Sequence, residues 1–200
     1  WISRRRDHPA QAIRVLLQLE TAAGRRYLGE VMNKNTESLI SQLLDAARAA
    51  GADGADAGMS RSEGTSVTVR LGKVESSERS EDIGAALRVF VGKRNASVST
   101  SQLDSDSIAE LAERAVAMAR VAPEDPYVRL ATADEVAGTL PEIDLYDDAV
   151  PAVEHLTKPA TAVEAAALSN DGITNSEGGS ASHGGAHMMI ATSNGFSANY

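Results

Sequence analysis

Two hundred residues suit one domain, or one with an appendage, and 42% hydrophobic against 24% charged residues leaves ample apolar material for a core. The absence of cysteine excludes disulfides, thiolate ligands and cysteine nucleophiles, and fits a reducing compartment. No apolar run approaches the roughly 20 residues that cross a bilayer, and the basic start Arg4-Arg5-Arg6 leads into no signal-like apolar stretch, so a cytoplasmic protein is expected. The net charge of −9 is uneven: residues 1–31 hold six Arg against Asp7, Glu20 and Glu30, a net of +3, which leaves −12 on residues 32–200. An acidic body of that kind repels phosphate backbones and argues against direct nucleic-acid binding.

In chain order, residues 1–31 read as a lead-in outside the domain, an upstream extension or a misread start. Trp1 opens the chain, and Met32-Asn33-Lys34-Asn35 has the look of a genuine start before a helix. Ile13, Leu16, Leu17 and Leu19 would form an apolar face if residues 10–31 were helical. A helix is expected over 37–50, capped by Asn35 or Thr36, with Leu39, Ile40, Leu43, Leu44 and Ala47 at helical spacing and Gly51 as its stop. Period two then takes over in Val67, Val69 and Leu71, and again in Ile83, Ala85, Leu87, Val89 and Val91. Gly92-Lys93-Arg94-Asn95 is the expected hairpin turn, and the polar stretch Lys73 to Asp82 is either a polar strand or an exposed connection.

A second helix is expected from about Ser105 or Asp106 to Val121, capped by Asp104, Ser105 or Asp106, with Ile108, Leu111, Ala112, Ala115, Val116 and Ala119 as its buried stripe. Pro123 and Pro126 end it and open an acidic linker over 122–149. A third helix is expected over 152–168, kinked or divided by Pro159, followed by strands at 172–182 and 188–192. Asn194-Gly195 is a strong hairpin signal, with Phe196 starting the return strand. Strands joined by short turns, with no βαβ alternation, predict an α+β fold in which an antiparallel sheet packs with helices.

Several segments resemble the PmbA/TldE family. They are Leu71 to Glu75 with Ile83 to Arg94, Ala119 to Tyr127, Ile173 to Gly179, and Thr192 to Phe196, in the family's order and near its spacing from Met32 to Tyr200. The resemblance implies that 32–200 is the amino-terminal domain of a two-domain protein, truncated before the carboxy-terminal domain. It also implies the partner subunit of a TldD/TldE-type metalloprotease acting on peptides or unfolded proteins. A TldD-like partner would then hold zinc in a His-Glu-x-x-x-His helix, in a heterodimer, while this chain holds no cofactor. The family's older label, modulator of DNA gyrase, implies the alternative of a regulatory interaction module.

No residue of this chain is assigned a catalytic, cofactor-binding or metal-ligating role. His183-Gly-Gly-Ala-His187 has the four-residue spacing of a zinc helix, but Gly184 stands where the glutamate would be. Two consecutive glycines disfavour a helix by about 2 kcal/mol relative to alanine. In an extended strand the two histidines would lie about 13 Å apart; a turn at Gly184-Gly185 would bring them closer, but no third ligand is evident, and they read as ordinary hairpin histidines. His8 and His155 are isolated, Gly51-Ala-Asp-Gly54 lacks phosphate-loop spacing, and no Gly-x-Ser-x-Gly marks a nucleophile. The acids Glu142, Asp144, Asp147 and Asp148 lack calcium-loop spacing and read as a solvated linker.

Overall fold

The computed structural model describes residues 22–200 apart from 142, 146 and 148, with side chains from residue 35 onward. The chain forms two compact units, Trp1–Ser38 and Leu39–Tyr200; the described part of the first is helical. In order, the elements are α1 (Ala22–Ala49), β1 (Gly54–Arg70), β2 (Lys73–Val91), β3 (Arg94–Thr100), α2 (Ser105–Val121), α3 (Val153–Leu168), β4 (Gly179–Thr192) and β5 (Ser197–Asn199). The strands form one antiparallel sheet in the order β3-β2-β1-β4-β5. The fold is therefore α+β, as the short strand connections predict.

Helix α1 does not begin at Glu37. It runs unbroken from Ala22 through Met32-Asn33-Lys34-Asn35, because Ala, Arg, Leu, Glu, Met and Lys in this stretch are all good helix formers. The expectation for residues 10–21, and the isolated His8, lie outside the described residues. Gly51, at φ 97°, closes the helix as expected, and the Ala52 N–H donates to the Ala47 carbonyl behind it. Helix α2 matches its expected span, and the Asp104 carboxylate caps it by accepting from the Ser107 N–H at 3.0 Å. Helix α3 is continuous across Pro159, which neither divides nor ends it. Pro159 and His155 both lie on the exposed side, where water can hydrate the His155 carbonyl that proline leaves unpaired.

Strand β1 starts at Gly54, well before Val67, since Ala55, Ala57 and Met59 alternate inward with small and polar residues between them. Lys73 to Asp82 is a strand, not a connection, paired with β1 at every residue but Glu75, where the register shifts. Strand β4 runs through Gly184-Gly185 as one piece, and 172–178 forms a turn and loop where a strand was expected. Both hairpin turns predicted from glycine are present. Gly92, at φ 59°, is held by its N–H bond to Asp53, and Gly195, at φ 99°, lies within the Thr192–Phe196 turn.

Among the described residues, α1 from Leu39 onward, α2 and α3 lie against one face of the sheet, the one that bears Ala55, Ala57, Met59, Val67 and Val69 of β1. They make two separate cores. The larger joins Ile40, Leu43 and Ala47 of α1 to Leu111, Ala115 and Val116 of α2 over Ala57, Leu87 and Val89. The smaller holds Val67, Val69, Leu156 and Ala160, with Ala181 against it. Between them the sheet crosses open ground.

Candidate functional site

The far end of the sheet is fixed by one side chain. Strands β1 and β2 turn at Leu71 (φ 50°) and Gly72 (φ 71°), a two-residue loop with both residues left-handed. Glu164, on the inner face of α3 and only 2% exposed, accepts from the Leu71 N–H at 2.7 Å and the Gly72 N–H at 2.9 Å. The Gly72 bond leads in holding the Glu164 carboxyl below its ordinary value; the Leu71 N–H, Ser176 and Arg70 add to it, while burial opposes. Sequence reasoning missed Glu164, since an acid within Val163-Glu-Ala-Ala resembles any solvated helix residue. The available signal was Leu71-Gly72, a turn whose N–H groups need an acceptor.

Gly179 brings α3 onto β4. A Cβ there would strike the Ala160 carbonyl and come within 2.9 Å of the Glu164 nitrogen, so only glycine permits the approach. On the other flank of α3, Val153, Thr157, Thr161 and Ala165 form with Val74 an open cleft of about 680 Å³.

The stretch between the two cores carries charge where a core would carry hydrocarbon. On the helix-bearing face Arg61, Glu63 and Thr65 of β1 stand beside Ile83, Glu81 and Arg79 of β2 and beside His187, Gly185 and His183 of β4. Glu81 takes ion pairs from Arg79 at 3.0 Å and Arg61 at 3.7 Å. The two histidines thus sit on one face of a straight strand, roughly 13 Å apart along it, too far to share one ion. Among the described residues no three His, Cys, Asp or Glu gather as a metal site. His155 is exposed on α3, Asp144 and Asp147 are exposed in the linker, and Glu142 and Asp148 lie outside the described residues.

One long edge of the sheet stands without a further strand among the described residues. Strand β3 pairs only with Ala85–Val91 of β2, so Lys73 to Gly84 has no strand beyond it among the described residues. At the opposite side β5 and Tyr200 pair with Met188 to Ala191 of β4. Among the described residues no helix is long and apolar enough to cross a membrane.

Residues 55–119 match the family described as PmbA/TldA metallopeptidase domain 1. The chain is 33% identical over 152 residues to Metalloprotease PmbA of Escherichia coli O157:H7, covering 76% of this chain and 34% of that protein. It is 31% identical to the Metalloprotease PmbA homolog of Haemophilus influenzae, again over 76% of this chain and 35% of the relative. The chain thus spans about a third of the length of these relatives. In fold it is similar to a putative modulator of DNA gyrase from Bacteroides thetaiotaomicron, with a TM-score of 0.68, 24% identity, and 82% of this chain and 38% of the other covered. TldE from Thermococcus kodakarensis shares the fold at a TM-score of 0.58 and 15% identity, covering 81% of this chain and 36% of its own. Together the matched segment, the two relatives and the shared fold show that this chain belongs to the PmbA/TldE family.

Proposed function

We propose that this chain is a non-catalytic part of a TldD/TldE-type metalloprotease that acts on peptides or unfolded proteins, in a heterodimer whose TldD-like partner holds the zinc. The observation that carries this reading is its 33% identity to Metalloprotease PmbA over 152 residues. The residues here do not fit a zinc site of their own: His183 and His187 lie four residues apart along one strand, and among the described residues no three His, Cys, Asp or Glu gather as a metal site. What the chain offers instead is backbone, since a sheet edge such as Lys73 to Gly84 of β2 can hold an extended polypeptide by main-chain hydrogen bonds. Reconstitution tests the reading. Adding the chain to a TldD-type subunit is expected to raise cleavage of an unfolded peptide, and substitutions that block a bare edge should lower it. Equal cleavage with and without the chain would sink the proposal.

A second reading, a regulatory module of the gyrase-modulator kind, draws on the name of the Bacteroides structure and on the acidic character of the chain. An acidic body suits a basic enzyme surface. A salt-sensitive gyrase pull-down in the absence of any TldD-type subunit would favour it.

A further inference from the structure

The linker that follows α2 is clipped to the sheet. Leu130 lies against Gly54, where an added Cβ would stand 3.1 Å from its Cδ1. The Glu135 carboxylate gathers the Arg129 guanidinium and the Thr132 N–H, which folds residues 129–135 into a compact strap. One side chain fastens this strap to the turn between β4 and β5: the Asn194 Nδ2 donates to the Ala131 carbonyl at 2.8 Å. Asn194 precedes Gly195, and that pair has a chemistry of its own. The backbone nitrogen that follows an asparagine can attack the side-chain carbonyl carbon, and glycine, with no Cβ, obstructs the approach least. Here each of the three reacting groups is engaged. The Gly195 N–H donates to the Thr192 carbonyl at 3.1 Å, the Asn194 Oδ1 accepts from the Thr192 Oγ1 at 2.5 Å, and Nδ2, the nitrogen that would leave, is held by the strap. Two of these bonds lie within the turn. The third is an exposed bond to a surface segment, the kind that opens most readily.

We propose that Asn194-Gly195 is a deamidation site guarded by the strap, and that deamidation releases the strap for good. With the Ala131 carbonyl withdrawn, the Gly195 nitrogen bonds to Asn194 Cγ, the Cγ–Nδ2 bond breaks, and ammonia departs to leave a cyclic imide. Water then opens the imide at either carbonyl, giving an aspartate or an isoaspartyl link. One water enters and one ammonia leaves, and no other reactant is required. A cavity of about 200 Å³ between Thr132, Val136, Asn194 and Phe196 has room for that water. Both products carry a carboxylate where the amide stood. A carboxylate only accepts, so it cannot donate to the Ala131 carbonyl, and the clip does not re-form.

Peptide mass spectrometry with isoaspartate detection, on the 200-residue chain aged in mildly alkaline buffer, tests this. In the parent, Asn194 is expected to deamidate more slowly than in a free peptide Thr-Ser-Asn-Gly-Phe. Glu135→Gln and Leu130→Ser each loosen the strap without altering the turn's own residues. Both should speed the reaction at Asn194 by about tenfold or more, while Asn175, in the loop before β4, keeps its parent rate. Asn194→Asp reproduces one product and should raise amide exchange over residues 128–136, with the amides of α2 unchanged. Parent deamidation as fast as in the free peptide, or strap variants no faster than the parent, overturns the guard. Unchanged exchange over 128–136 in Asn194→Asp overturns the release.

Discussion

Two N–H groups of an exposed turn converge on the Glu164 carboxylate, and that turn holds Leu71 at φ 50°, a conformation that side-chain-bearing residues avoid. The carboxylate offsets this strain only while charged. Its folded value lies below the ordinary 4.5, so its contribution is complete above 4.5 and is lost as pH falls through the folded value. Glu164→Gln keeps the shape but turns an amide donor toward one of the two N–H groups. The variant should melt several degrees below the parent at pH 7, with the gap narrowing only as pH falls below 4.5 and through the lowered folded value. Thermal melts across that range check it, and a gap that persists in acid would show that charge is not the cause. None of this was legible in the sequence, because a buried acid and a solvated one look alike until the turn that faces it is known. The histidine pair was legible only in part: glycine at 184 and 185 argued correctly against a helix, but the hairpin expected there is an unbroken strand, because the whole of β4 pairs with β1.

At the scale of elements, periodicity found what packs and missed what does not. Helix α2, with a complete apolar stripe and an Asp104 cap, was readable to its ends. Strand β1 before Val67 was not, because its inward residues Ala55, Ala57 and Met59 have weak strand preference and owe their state to neighbours on both sides. The junction of α3 with β4 was equally silent, since Gly179 is one glycine among sixteen. Its role gives a sharp expectation. Gly179→Ala pushes a methyl group into the Ala160 carbonyl and should cost about 1–3 kcal/mol by forcing backbone apart. Gly138→Ala, with nothing within 4 Å of the added carbon, should stay within about 0.5 kcal/mol of the parent. Denaturant melts of the two variants measure the difference, and equal effects would mean that α3 can shift to accommodate the methyl group.

At the scale of the molecule, the decisive property is length. Strands of 17 and 19 residues far exceed the usual 3–10, and one core cannot underlie all of them. Two cores therefore hold the ends, while Arg61, Glu63, Arg79 and Glu81 occupy the face between them. The alternation of Val67 and Val69 announced the smaller core in the sequence, but its separation from the larger one follows only from the register. Separate cores should fail separately. Leu111→Ala, deep in the larger, removes contacts shared by α1, α2 and the sheet and should cost about 2–5 kcal/mol of global stability. Leu156→Ala strikes a cluster of only four buried residues, so the expected loss is local. Amides from Val67 to Ser77 should exchange faster, while those of β3 and α2 keep the parent's rates. Hydrogen exchange on both variants decides the matter: if Leu156→Ala speeds exchange at β3 and α2 as much as at the hairpin tip, the two cores act as one cooperative unit.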